Sequence, residues 1–169
     1  MTINEILDSG THIKKLTRIQ KANYKHSLSW KENGYKLLKA AKDEKEFSGA
    51  VLWCGITGNV SRTVAKRFFK EFSDHLFNKR QEILEGKYSL LKVKEFDNKK
   101  PISYISKVCH ILNPHGYPLL YDSYVRDSVN ITTLEEFNKL IVNLRKEVNT
   151  KTREEIYKID SALWASKTK

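Results

Sequence analysis

Residues 45–57 read KEFSGAVLWCGIT, the most apolar stretch of the chain. Whether it is a strand or a helix decides the fold class. At this length and apolarity a buried strand and a buried helix look alike, because neither needs a clean period. The flanks decide. Upstream, residues 29–43, SWKENGYKLLKAAKD, read as a helix with Leu37, Leu38 and Ala41 on one face. Gly34 weakens that helix by about 1 kcal/mol relative to alanine. Downstream, Gly58-Asn59 signals a turn, and residues 61–87, SRTVAKRFFKEFSDHLFNKRQEILEGK, begin with a candidate N-cap at Ser61. Val64, Phe68, Phe72 and Leu76 recur every four residues there, an apolar stripe about one-third of a helix wide. Helices on both sides make 45–57 a helix, and the chain all-α.

The rest of the sequence agrees. Seven glycines and three prolines in 169 residues leave few tight turns for a β fold. Residues 132–149, TTLEEFNKLIVNLRKEVN, place Leu134, Phe137, Leu140, Ile141, Leu144 and Val148 on one face behind a Thr132/Glu135 capping box. Residues 152–167, TREEIYKIDSALWASK, repeat the device with Thr152 and Glu155 ahead of Ile156, Ile159 and Leu163. Residues 2–8 suit a short helix that packs Ile3, Ile6 and Leu7, and 11–28 are weakly periodic, helical or irregular. Residues 86–100 read as a loop. The expectation is a single all-α domain over 1–169, with seven or eight helices, in one lobe or two, and a less ordered segment over 1–28.

The formal net charge is +11, and it is unevenly spread. Residues 14–107 hold 22 Lys/Arg against 10 Asp/Glu, whereas 108–169 hold 9 against 8. A polyanion, nucleic acid and DNA in the first instance, is the partner that suits this excess. Arg62, Lys66, Arg67 and Lys70 cluster at one end of a helix. They read either as phosphate contacts or as the solvated face of a core helix. Cys54 and Cys109 stand alone, without metal-ligand spacing, as reduced thiols of a cytoplasmic protein would. No stretch is apolar enough to span a bilayer, and no signal-peptide core stands at the N-terminus. His110 and His115 lack a convergent third ligand, so neither a metal nor another cofactor is expected. No phosphate-binding glycine loop, dinucleotide fingerprint or nucleophile elbow occurs.

The chemistry, if any, concentrates in residues 106–125, SKVCHILNPHGYPLLYDSYV. Residues 102–112 form a helical wheel whose apolar half holds Ile102, Tyr104, Ile105, Val108, Cys109, Ile111 and Leu112. Ser103, Ser106, Lys107 and His110 fill the other half, with Lys107 about 40° from Ile111. An ammonium at such a boundary either lays its stem on apolar surface and keeps its head wet, or is desolvated into a nucleophilic amine. The helix breaks at Asn113-Pro114, an extended piece breaks again at Pro118, and Asp122 suits the N-cap of the next helix.

This stretch resembles a motif of bacterial 8-oxoguanine DNA glycosylase-like proteins, roughly Ser-Lys-x-x-His-x-x-x-Pro-x-x-x-Pro-x-x-Asp-x-x-Val with a residue's latitude near the Asp. Ser106, Lys107, His110, Pro114, Pro118, Asp122 and Val125 supply it. That group is similar in turn to the helix-hairpin-helix DNA glycosylases. The resemblance implies a helix-hairpin-helix glycosylase-like fold and a DNA repair activity, hydrolase or lyase. Lys107 would be the amine that attacks the sugar C1′ of a flipped nucleotide, and Asp122 the carboxylate that takes its proton or offsets the cationic sugar. The residues before Lys107, NKKPISYIS, carry no glycine, so backbone grip on phosphate would fall to Lys99, Lys100 and the 62–70 cluster. Trp30, Trp53, Tyr104 and Tyr121 are candidates for base stacking. The same residues suit two other readings: a basic helical nucleic-acid-binding protein without catalysis, and a structural or partner-binding helical domain.

Overall fold

The computed structural model describes residues 1–57, 62–93 and 101–169, and their side chains except at 56, 62, 64, 65 and 67–71. The described residues are all-helical. They form α1 (Ile3–Leu7), α2 (Ser9–Lys15), α3 (Arg18–Ala40), α4 (Glu44–Thr57), α5 (Arg62–Asn78) and α6 (Arg80–Leu84). A 3₁₀ turn (Leu90–Lys92) follows, then α7 (Ile102–Leu112), α8 (Ser123–Val129), α9 (Leu134–Glu147) and α10 (Arg153–Ala165). Where seven or eight helices were expected, the described residues hold ten. Residues 3–40 divide into three helices at capped breaks, and α6 separates from α5. The expected N-cap Ser61 and turn Gly58-Asn59 lie outside the described residues.

The stretch 45–57 is helical. Asp43 accepts from the Glu46 backbone N–H at 2.8 Å, and the Glu46 carboxylate accepts from the Lys42 N–H at 2.8 Å. This reciprocal cap starts α4. The helix packs against α3, α5 and α7, so it is apolar nearly all round and shows no stripe. That is why its period was uninformative.

α7 runs through the centre, with Ile105, Val108, Cys109 and Ile111 fully buried. Two tyrosines pin it. Tyr104 Oη donates to the Val51 carbonyl of α4 at 2.7 Å, and Tyr157 of α10 donates to the Ile111 carbonyl at 2.6 Å. Ser106 and His110, assigned to the polar half of the wheel, are buried too. α7 is enclosed on that side by α10 and by the segment after the helix, and both polar side chains bond backbone there.

Two smaller expectations are corrected. The capping box of α9 is Thr133 with Glu136, one residue beyond Thr132/Glu135. Leu37 is exposed while Leu38 and Ala41 are buried, because α3 turns Leu38 onto the core. The Thr152/Glu155 box of α10 is present as read.

Candidate functional site

The motif is first of all a folding device. Asn113 caps α7 and spends its side chain on three backbone groups. Its Nδ2 donates to the Ile83 and Leu84 carbonyls at 3.0 and 2.9 Å, and its Oδ1 accepts from the Gly116 N–H at 2.9 Å. Gly116 must be glycine here, since a Cβ would lie 2.6 Å from Asn113 Nδ2 and 3.0 Å from the Cα of Gly86. Further on, Ser106 Oγ accepts from the Tyr121 N–H at 3.0 Å. That bond joins the residue before Lys107 to the residue before Asp122. Asp122 itself caps α8, its Oδ1 accepting from the Tyr124 N–H at 2.9 Å.

His110 serves the same segment. Its Nδ1 lies 2.7 Å from the Tyr117 carbonyl, which can only accept, so Nδ1 carries the proton and Nε2 the lone pair. Nε2 is buried without a hydrogen-bond partner among the described residues. Burial lowers its pKa to about 4 from an ordinary 6.5. Because the folded pKa is depressed, the stabilisation is complete above pH 6.5 and is lost as the pH falls to about 4. The loss amounts to about 3 kcal/mol. Urea titrations between pH 7 and 4 are expected to show it, and a His110→Gln variant should lose the slope over that window.

Lys107 and Asp122 line one cleft, together with His26 and Trp30 of α3 and Trp164 of α10. The cavity measures about 40 Å³, room for a few waters. Burial lowers the Lys107 pKa from its ordinary value, against the opposing pull of Asp122 and Asp160, and the nearby Lys31 charge pushes it the same way as burial. The site thus holds a partly desolvated amine in the field of a carboxylate.

Behind the cleft lies a charge pair. Lys31 and Asp160 are fully buried, with Nζ 2.8 Å from Oδ2. Nζ also donates to Ser27 Oγ at 2.9 Å and Ser161 Oγ at 2.6 Å. The other Asp160 oxygen accepts from the Leu120 N–H at 2.8 Å. Burial opposes charge on both groups. It lowers the Lys31 pKa, while the attraction of Lys31 and His110 outweighs it at Asp160 and keeps that carboxyl below its usual value.

Lys66 is exposed on α5; Arg62, Arg67 and Lys70 share that helix, with side chains outside the described set; Lys99 and Lys100 lie outside the described residues. Of the stacking candidates only Trp30 reaches the cleft, and its Nε1 is occupied by the Cys54 carbonyl and Thr57 Oγ1. Tyr104 is a core pin, Trp53 borders a separate surface groove, and Tyr121 is held between Phe137 and the Arg126 guanidinium. Trp164 lines the cleft and was not foreseen. Cys54 and Cys109 are free and buried, and burial pushes the Cys54 thiol up to about 12, so neither offers a thiolate. Among the described residues no cluster of three or more His, Cys, Asp or Glu could hold a metal, and no helix is long and apolar enough to cross a membrane.

Compared with known proteins, the chain matches no family model, no curated protein and no solved structure.

Proposed function

We propose that this chain is a DNA glycosylase-like protein in which the Lys107 amine attacks C1′ of a flipped nucleotide. The observation that carries the reading is that Lys107 and Asp122, fifteen residues apart, line the same partly enclosed cleft, with burial favouring the neutral amine. The lone pair of Nζ forms the bond to C1′ as the bond from C1′ to the base nitrogen breaks. The electron pair leaves with the base. Asp122 accepts the proton lost by the amine, and that proton neutralises the departing base. The Asp122 charge also offsets the cationic sugar in the transition state. At about 40 Å³ the cavity admits a sugar carbon and not a whole base, so the reading requires the cleft to widen when a nucleotide enters.

A second observation supports a polyanionic substrate. Between Asp8 and Glu32 the chain carries no acidic residue. Lys14, Lys15, Arg18, Lys21 and Lys25 are exposed along α2 and the first half of α3, and His26 continues that helix to the cleft wall. Such a row contacts phosphates with log affinity falling against log salt.

The test is borohydride trapping on duplexes that carry an oxidised base or an abasic site. Wild type should give a covalent adduct and Lys107→Ala none, while salt-dependent binding persists in both. Asp122→Asn keeps an equally good helix cap, so its fold should survive while adduct formation slows about 100-fold or more. Binding without any adduct would leave a non-catalytic nucleic-acid-binding protein.

A further inference from the structure

We infer that the buried Lys31–Asp160 pair is a positioning element for Lys107: a charged floor that fixes the shape of the cleft and the field in which the amine sits. The inference deepens the reading above and takes its catalytic meaning from it.

The geometry rests on two arms. On one side Lys31 Nζ holds Ser27 Oγ, which is also 2.9 Å from Ser161 Oγ, and Ser27 lines the cleft. On the other, Asp160 holds the Leu120 N–H, and Leu120 lines the cleft beside Asp122. The pair thus ties α3, α10 and the 113–121 segment together through two residues that line the cleft. The Ser106–Tyr121 bond closes the same frame from α7. A pair used only to hold helices together gains little over an apolar pair of like volume, because desolvation offsets the attraction. This one is placed where both charges act on Lys107.

The charged and titratable described groups around Lys107 come from four elements. Asp122 stands at the start of α8, Asp160 on α10, Lys31 and His26 on α3, and His110 on its own helix α7. Asp160 favours the Lys107 ammonium and Lys31 disfavours it. Removing one or the other therefore acts in opposite directions, a signature that general loosening of the fold does not produce.

The experiment needs no DNA. The intact chain is labelled with trace acetic anhydride across a pH series, and acetylation at Lys107 is read by peptide mass spectrometry. Lys31→Met is expected to raise the labelling midpoint of Lys107 by about half a pH unit or more, and Asp160→Asn to lower it by a similar amount. Either single change leaves a buried charge alone, so the decisive arm is Lys31→Met/Asp160→Asn. It removes both charges, keeps an oxygen for the Leu120 N–H, and is expected to remain folded by circular dichroism. Its midpoint should fall below that of wild type, since Asp160 acts on Lys107 more strongly than Lys31 does. A folded double variant with an unmoved midpoint, or single variants that shift in the same direction, would overturn the inference. Opposite shifts without any trapped DNA adduct would sustain the floor and remove the glycosylase reading. An adduct with unmoved midpoints would do the reverse.

Discussion

Asp160→Ala is expected to cost about 3–5 kcal/mol of folding stability, most of it through Lys31. The Lys31 ammonium has no solvent exposure, and Asp160 is its only carboxylate partner at ion-pair distance among the described residues. Alanine leaves that charge in the interior with two hydroxyls for company. It also strips the Leu120 N–H of its acceptor, adding an unsatisfied buried donor. Lys31 can shed its proton to limit the damage, but the ion pair is gone either way and only its two hydroxyl partners remain. Urea unfolding at pH 7 should show the midpoint lowered and the slope unchanged. A loss under about 1 kcal/mol would mean that the pair is solvated.

Gly55→Ala is expected to destabilise the fold by about 3 kcal/mol, although alanine is the better helix former by about 1 kcal/mol. Gly55 lies within α4, where propensity alone favours the change. The Cβ, however, would overlap the ring and hydroxyl of Tyr104. Tyr104 cannot step back, because it is 7% exposed and its hydroxyl is bonded to Val51. Either the α4–α7 spacing grows, with loss of packing around Cys54 and Cys109, or the tyrosine leaves its site and the hydrogen bond breaks. A double-mutant cycle measured by thermal or urea unfolding is the check. In a Tyr104→Ala background, Gly55→Ala should cost nothing or stabilise slightly, a coupling of several kcal/mol. Additive effects would place Tyr104 elsewhere.

The helices were legible where periodicity or caps stood alone. The Thr152/Glu155 box, the 102–112 helix and the Asp122 cap could all be read from local pattern. The α9 cap slipped by one residue because Thr132–Glu135 and Thr133–Glu136 are the same motif in adjacent registers. The 45–57 stretch carried no period because three helices cover it, and only its neighbours disclosed it. In the candidate site, the Lys107–Asp122 pair was visible as a motif. The Ser106–Tyr121 bond that sets its spacing was not, because Ser106 looked like a polar-face residue. Lys31 and Asp160 were invisible for a different reason. Each sits inside an otherwise ordinary helix, and the hydrogen bond from Lys31 to neighbouring Ser161 spans 130 positions. The one available hint was an aspartate between Ile159 and Leu163 on the apolar face of α10. Trp164 was missed likewise, since its place in the cleft depends on how α10 packs on α3.

In the proposed reaction Lys107 is the group that forms the bond to C1′. The most direct test is to reduce the complex with an abasic-site duplex using borohydride, digest it, and locate the modified lysine by mass spectrometry. One adduct is expected, carried on Lys107. No adduct at all, or one on another lysine with Lys107 unmodified, would contradict it.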